Sequence, residues 1–126
     1  MDTMKKIVLK IFQVQSQMRL LHWQTASYAE HMAFGGYYDA VDDLFDKLIE
    51  SIQGKYGRIF VGGIDGVQVA DYQNLKLQSF IEEINLFFGK EIYTTGIDPM
   101  KDPEIENIVE EILAETDKLK YLLTLK

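Results

Sequence analysis

Four residues of this chain have types and spacing that could do chemistry: His22, His31, Asp46 and Glu50. The two histidines are the only ones present. Imidazole plus carboxylate suits a borderline divalent metal such as Fe(II), Zn(II) or Mn(II). Asp46 and Glu50 are spaced i, i+4, so on a helix both side chains leave the same face. Asp46 follows His31 by fifteen residues. On one helix that spacing leaves the two roughly 60° apart in azimuth and roughly 22 Å apart along the axis. A single helix therefore presents both on one face but cannot bring them to one ion. A second copy crossing antiparallel about a two-fold axis could, with His31 of one copy meeting Asp46 and Glu50 of the other, twice per dimer. The midpoint of that crossing falls near Tyr38, beside Gly35 and Gly36. Two helical glycines cost about 1 kcal/mol each relative to alanine. Close backbone approach at the axis would be a reason to keep them.

The elements that must position these residues are helical. Residues 3–24 read as a first helix, capped by Asp2 or Thr3. Met4, Ile7, Val8, Ile11, Met18 and Leu21 keep its period, with Phe12 and Val14 widening the stripe. Thr25-Ala26-Ser27 reads as a short connection with Ser27 as the next N-cap. That break is needed if both histidines serve one site, because on one continuous helix His22 and His31 would lie on opposite faces. Residues 28–55 read as the second helix, with Val41, Leu44, Phe45, Leu48 and Ile52 apolar and Asp39, Asp42 or Asp43, Asp46 and Glu50 acidic. Gly54 and Gly57 are its stop signals. Residues 58–72 are glycine-rich and β-branched. They could form a hairpin, but a long crossover with one helical turn is the preferred reading. A third helix is expected over 73–94 and ends at Gly96. Asp102-Pro103 opens a fourth, with Asp as N-cap and Pro at the first helical position. Four amphipathic helices and one long crossover give an all-α four-helix bundle, a single domain over residues 1–126.

Composition narrows the function. The formal charge of −7 argues against an electrostatic hold on nucleic acid or anionic lipid. Lys5, Lys6 and Lys10, the one N-terminal basic cluster, lie at or inside the first helix, so DNA binding is weakly supported. With no cysteine, disulfides, thiolate zinc sites and cysteine nucleophiles are excluded. No signal peptide or membrane-length apolar run is visible. A cytoplasmic protein is the reading that fits. The ordinary bundle di-iron site wants Glu-x-x-His on each of two helices. Here Arg19 and Tyr28 stand three before His22 and His31, and the last two helices hold no histidine.

The stretch from His22-Trp23 through His31 to Asp46 and Glu50, with Gly36 and Asp43 between, resembles the Dps family of mini-ferritins. The variant His22-Trp23-Gln24-Thr25, followed by Ser27-Tyr28-Ala29 and His31, also resembles small proteins encoded by tailed phages. The resemblance implies a ferritin-like four-helix bundle with its long crossover between helices two and three. It implies an iron-binding centre shared by two subunits, with His22 and His31 from one chain and Asp46 and Glu50 from the other, and Zn(II) or Mn(II) able to take the place of iron. It implies oxidation or sequestration of Fe(II) by a homo-oligomer, a two-fold dimer or a dodecamer, in the host cytoplasm if phage-encoded. An aromatic near that centre intercepts radicals in such proteins, a role open to Trp23, Tyr28 or Tyr37. Three departures stand out: Gln24 replaces the usual Asn, the segment between the histidines is shorter, and Gly35 stands where many members carry a further acid. The last motivates an alternative, a non-catalytic phage or bacterial interaction protein on the same scaffold without ferroxidase activity.

Overall fold

The computed structural model describes residues 3–63 and 66–125. Asp2, one of the two expected caps, and Ile64 and Asp65 of the glycine-rich turn lie outside them. Four helices form: α1 (Lys5–Gln24), α2 (Tyr28–Tyr56), α3 (Leu77–Gly89) and α4 (Pro103–Leu122). Short 3-10 turns cover Tyr72–Asn74, Glu91–Thr94 and Leu123–Leu125. No strand forms among the described residues, so the hairpin alternative for the crossover is set aside.

Side-chain contacts give the directions. His22 of α1 meets His31 near the start of α2, and Gln15 and Arg19, earlier in α1, reach Asp42 farther along α2, so these helices are antiparallel. Tyr37 bonds Thr116 and Tyr56 bonds Asp102, so α2 and α4 are antiparallel. The Lys10 ammonium lies 5.8 Å from the Phe87 ring centre, and Thr3 bonds the Thr95 carbonyl, so α1 and α3 are antiparallel. The order is up, down, down, up. The crossover climbs the length of the bundle to bring α3 back to the end where α1 finished.

The core follows the helical stripes. Ile7, Ile11, Val14, Met18 and Leu21 of α1 face Phe34, Val41, Phe45, Leu48 and Ile52 of α2, with Ile81, Ile84 and Phe88 of α3 and Ile105, Val109 and Ile112 of α4. Phe45 and Phe88 stack at 5.7 Å. Phe12, placed on the stripe by sequence, is 40% exposed instead, because it sits one step off the buried 7-11-14-18 row. Tyr37 is buried and its hydroxyl donates to Thr116, whose own proton goes to the Ile112 carbonyl. Burial holds the Tyr37 phenol in its neutral form by pushing its pKa up, against a smaller opposing pull from Thr116.

The ends depart from the sequence reading in instructive ways. Helix α1 starts at Lys5 with no side-chain cap, because Met4 stands at the cap position, while the Thr3 hydroxyl donates to the Thr95 carbonyl 2.9 Å away. Ser27 does cap α2, accepting from the Glu30 amide. Helix α2 runs through Gly54 and stops at Gly57, whose φ of 93° only glycine adopts readily. The third helix is shorter than 73–94: it spans Leu77–Gly89, with 3-10 turns before and after. Asp102 stands at the N-cap position before Pro103, but its side chain makes no cap bond. It turns inward to Tyr56, Lys55 and the Asp98 amide instead.

Glutamine side chains hold the crossover in place of a strand partner. Buried Gln17 donates to the Ala70 carbonyl and accepts from the Ala70 amide, both at 2.8 Å. Gln53 accepts from the Ile59 amide at 3.0 Å. Gln17→Ala is expected to cost about 1–2 kcal/mol. It should also speed hydrogen exchange at the Ala70 amide, and urea denaturation with amide exchange would measure both.

Candidate functional site

The α1–α2 corner brings the two histidines into contact. Their rings stack with centroids 3.7 Å apart and planes 15° from parallel. The His22 Nδ1 lies 2.6 Å from the His31 carbonyl, and the His31 Nδ1 lies 2.7 Å from the His22 carbonyl. A carbonyl oxygen only accepts, so each Nδ1 must carry a proton. In the neutral rings this fixes the tautomer and leaves each Nε2 with its lone pair, the state in which imidazole binds a metal or takes a proton.

More rings extend the pair into a column. Tyr38 meets His22 edge-on at 5.4 Å, and Tyr28 flanks His31 at 6.4 Å. The Arg19 guanidinium lies 4.6 Å over Tyr38 and pairs with Asp42 at 2.6 Å. At the end of the column Tyr28 is 76% exposed, and Trp23 and Met32, next in sequence to His22 and His31, are 69% and 55% exposed. Three large side chains close in sequence to the half-buried imidazole pair thus stand in water.

Gly35 makes the pair possible. A Cβ on it would fall 2.8 Å from the His22 Cε1 and 3.1 Å from its Nδ1. Gly35 stands where the resemblance would place a further acid, and close approach is what its missing side chain permits. The group that approaches is the His22 ring of the same chain. A Cβ on Gly36 would meet nothing within 4 Å. The available signal was position: Gly35 lies four residues after His31, on the face His31 shares.

Asp46 and Glu50 are exposed on α2, roughly 22 and 28 Å beyond His31 along the helix. Within one chain they do not join the histidines. Among the described residues no group of three or more His, Asp or Glu gathers to hold a metal ion. Each ring lone pair lies in its own ring plane. An ion bound to one of these near-parallel rings would therefore sit off the plane of the other. As stacked, the pair would hold ions one per ring rather than chelate one between them.

A second polar group, unforeseen from sequence, closes the corner. Glu30 is buried and its Oε1 accepts from the Thr25 and Tyr72 hydroxyls, each at 2.6 Å. Gln24 accepts from the Tyr72 amide at 2.7 Å and donates to Asp71 at 2.9 Å. Its length suits a reach to the crossover backbone.

Among the described residues no helix is long and apolar enough to cross a membrane. The chain is 26% identical over 112 residues to an uncharacterized 14.6 kDa protein of the mobD-ri intergenic region of Enterobacteria phage T4, covering 89% of this chain and 80% of that protein. No solved structure matches it. The profile of a family of unknown function, DUF5856, matches residues 22–123, a span that opens on the first imidazole of the pair and takes in α2, α3 and α4, and the chain belongs to that family.

Proposed function

We propose that this chain is a ferritin-like bundle of phage type that works by binding another protein, through the end of the bundle where the imidazole pair lies. The observation that carries the reading is the exposure of Trp23, Tyr28 and Met32, each within three residues in sequence of one of the two histidines. Tryptophan, tyrosine and methionine are enriched at protein interfaces. The up-down-down-up order with one long crossover supports the ferritin-like assignment, and the kinship with a phage chain supports the setting. Trp23 is the only tryptophan, so fluorotryptophan labelling gives one fluorine resonance. In host extract that resonance is expected to shift and broaden. A combined Tyr28→Ala, Met32→Ser variant should stay sharp in the same extract. A resonance unchanged in extract at every concentration overturns the reading.

A second reading is favoured by the reciprocal Nδ1 bonds, which leave both Nε2 atoms as donors to a metal. His22 and His31 would each hold one ion, and Asp46 and Glu50 of a second copy would complete the set, with Fe(II) as the cargo oxidised or sequestered. Anaerobic Fe(II) titration by calorimetry, followed by admission of oxygen, tests it. Saturable binding that is lost in His31→Ala and in Asp46→Ala is the expected result. Equal binding by parent and variants removes the shared site.

A further inference from the structure

The crossover reaches the corner that aligns the imidazoles. Gln24, two residues after His22, is clipped to Asp71 and Tyr72. Glu30, the residue before His31, receives the Tyr72 hydroxyl and, on the same oxygen, that of Thr25 from the α1–α2 connection. About two turns before Gln24 on α1, Gln17 pairs with both backbone groups of Ala70. Each histidine is thus one or two residues from a group that the crossover holds. The pair has little slack of its own, since both of its bonds run from a ring to the other residue's backbone. Any shift of α1 against α2 at the corner breaks both.

We infer that residues 70–72 act as a strap that sets the alignment of His22 and His31, so that docking of the strap and formation of the imidazole pair are one coupled event. The coupling runs through the corner. A docked strap holds Gln24 and Glu30, and these fix the backbone carbonyls to which the two Nδ1 atoms donate. By reciprocity, whatever grips the pair tightens the strap, and whatever lifts the strap loosens the pair. The inference rests on reading this end of the bundle as the working end. Its test uses no ligand, so it can fail while that reading stands.

Gln24→Glu removes the donor to Asp71 and sets two carboxylates against each other. Adding Asp71→Asn restores a donor and an acceptor with their roles exchanged. The readouts are amide exchange at Tyr72 and long-range proton–nitrogen spectra of the two imidazoles. In Gln24→Glu the Tyr72 amide should exchange about tenfold faster, and the imidazole signals should move from their parent positions. The double variant should return both. Tyr72→Phe, which takes a hydroxyl from buried Glu30, gives a second route to the same pair of readouts should Gln24→Glu fold poorly. Release of the Tyr72 amide with imidazole signals unmoved overturns the coupling. So does a double variant that restores the amide and not the rings.

Discussion

Gly35→Ala is expected to take the imidazole pair apart while leaving the bundle folded. The added methyl would stand 2.8 Å from the His22 Cε1, closer than carbon atoms pack. The ring has no room to yield in place, held by the stack on His31 and by a 2.6 Å bond to its carbonyl. It must leave, and the reciprocal bond from His31 loses its alignment with it. The free-energy terms nearly cancel. Alanine in place of a helical glycine gains about 1 kcal/mol, and two lost hydrogen bonds cost about 1 kcal/mol each. Global stability should therefore move by no more than about 1 kcal/mol, while the site is lost. Imidazole nitrogen spectra would show it. The parent should show both rings protonated on Nδ1, and the variant should lose that pattern at His22. Gly36→Ala is the control: its Cβ meets nothing, so it should stabilise the helix by up to about 1 kcal/mol and leave the pair intact. Parent-like spectra from Gly35→Ala would refute the steric argument.

At the opposite end of the bundle, Asp102→Ala is expected to cost about 2 kcal/mol, the cost of leaving buried donors without their acceptor, since Lys55 can turn to water. The Asp102 side chain is fully buried and ties three segments together. The Tyr56 hydroxyl bonds it at 2.7 Å, the Lys55 ammonium pairs with it, and the Asp98 amide donates to it at 2.9 Å. Removing the carboxylate strands the tyrosine hydroxyl and the amide. The same group sets an acid limit. Burial alone would raise its pKa, but the bonds from Lys55, Tyr56 and the Asp98 amide together outweigh burial and hold it below the usual 3.8. A carboxylate whose folded pKa is depressed adds stability above its unfolded value, and that stability is lost as the pH falls through the folded value. The urea midpoint of the parent should thus decline below about pH 4, and Asp102→Ala should flatten that part of the decline. An equal decline in both proteins would place the acid sensitivity elsewhere.

The architecture was legible because its signals are local and redundant. The apolar rows of α1, α2 and α4 recur over five or more turns, Ser27 caps where a break was required, and Asp102-Pro103 marks the start of α4. The errors fell where a side chain had a distant partner. Thr3 has the side chain of a cap, but Met4 takes the cap position and the Thr3 hydroxyl reaches across to the Thr95 carbonyl. Asp102 looked like a cap until Lys55 and Tyr56 drew it inward. The site was legible in part. Helix geometry asks for a break if His22 and His31 are to meet, and a break separates α1 from α2. That their rings would stack, each bonded to the other's backbone, depends on the exact corner, as does the clearance at Gly35. Glu30 and Tyr72 are 42 residues apart, and nothing in either's neighbourhood announces the bond.

The glutamine clips have a consequence for how freely this chain can change. Gln17 and Gln53 grip only the main chain of the segments they hold, at Ala70 and Ile59. A grip on peptide groups is blind to side-chain identity. Exposed side chains of the crossover such as Phe60 and Val69 can therefore change without loosening its attachment, Gly63 and Gly66 excepted because their positive φ strains any other residue. The crossover is the natural stretch for a lineage to diversify, or for an engineer to place a new recognition loop, while the helices and the imidazole corner stay as they are.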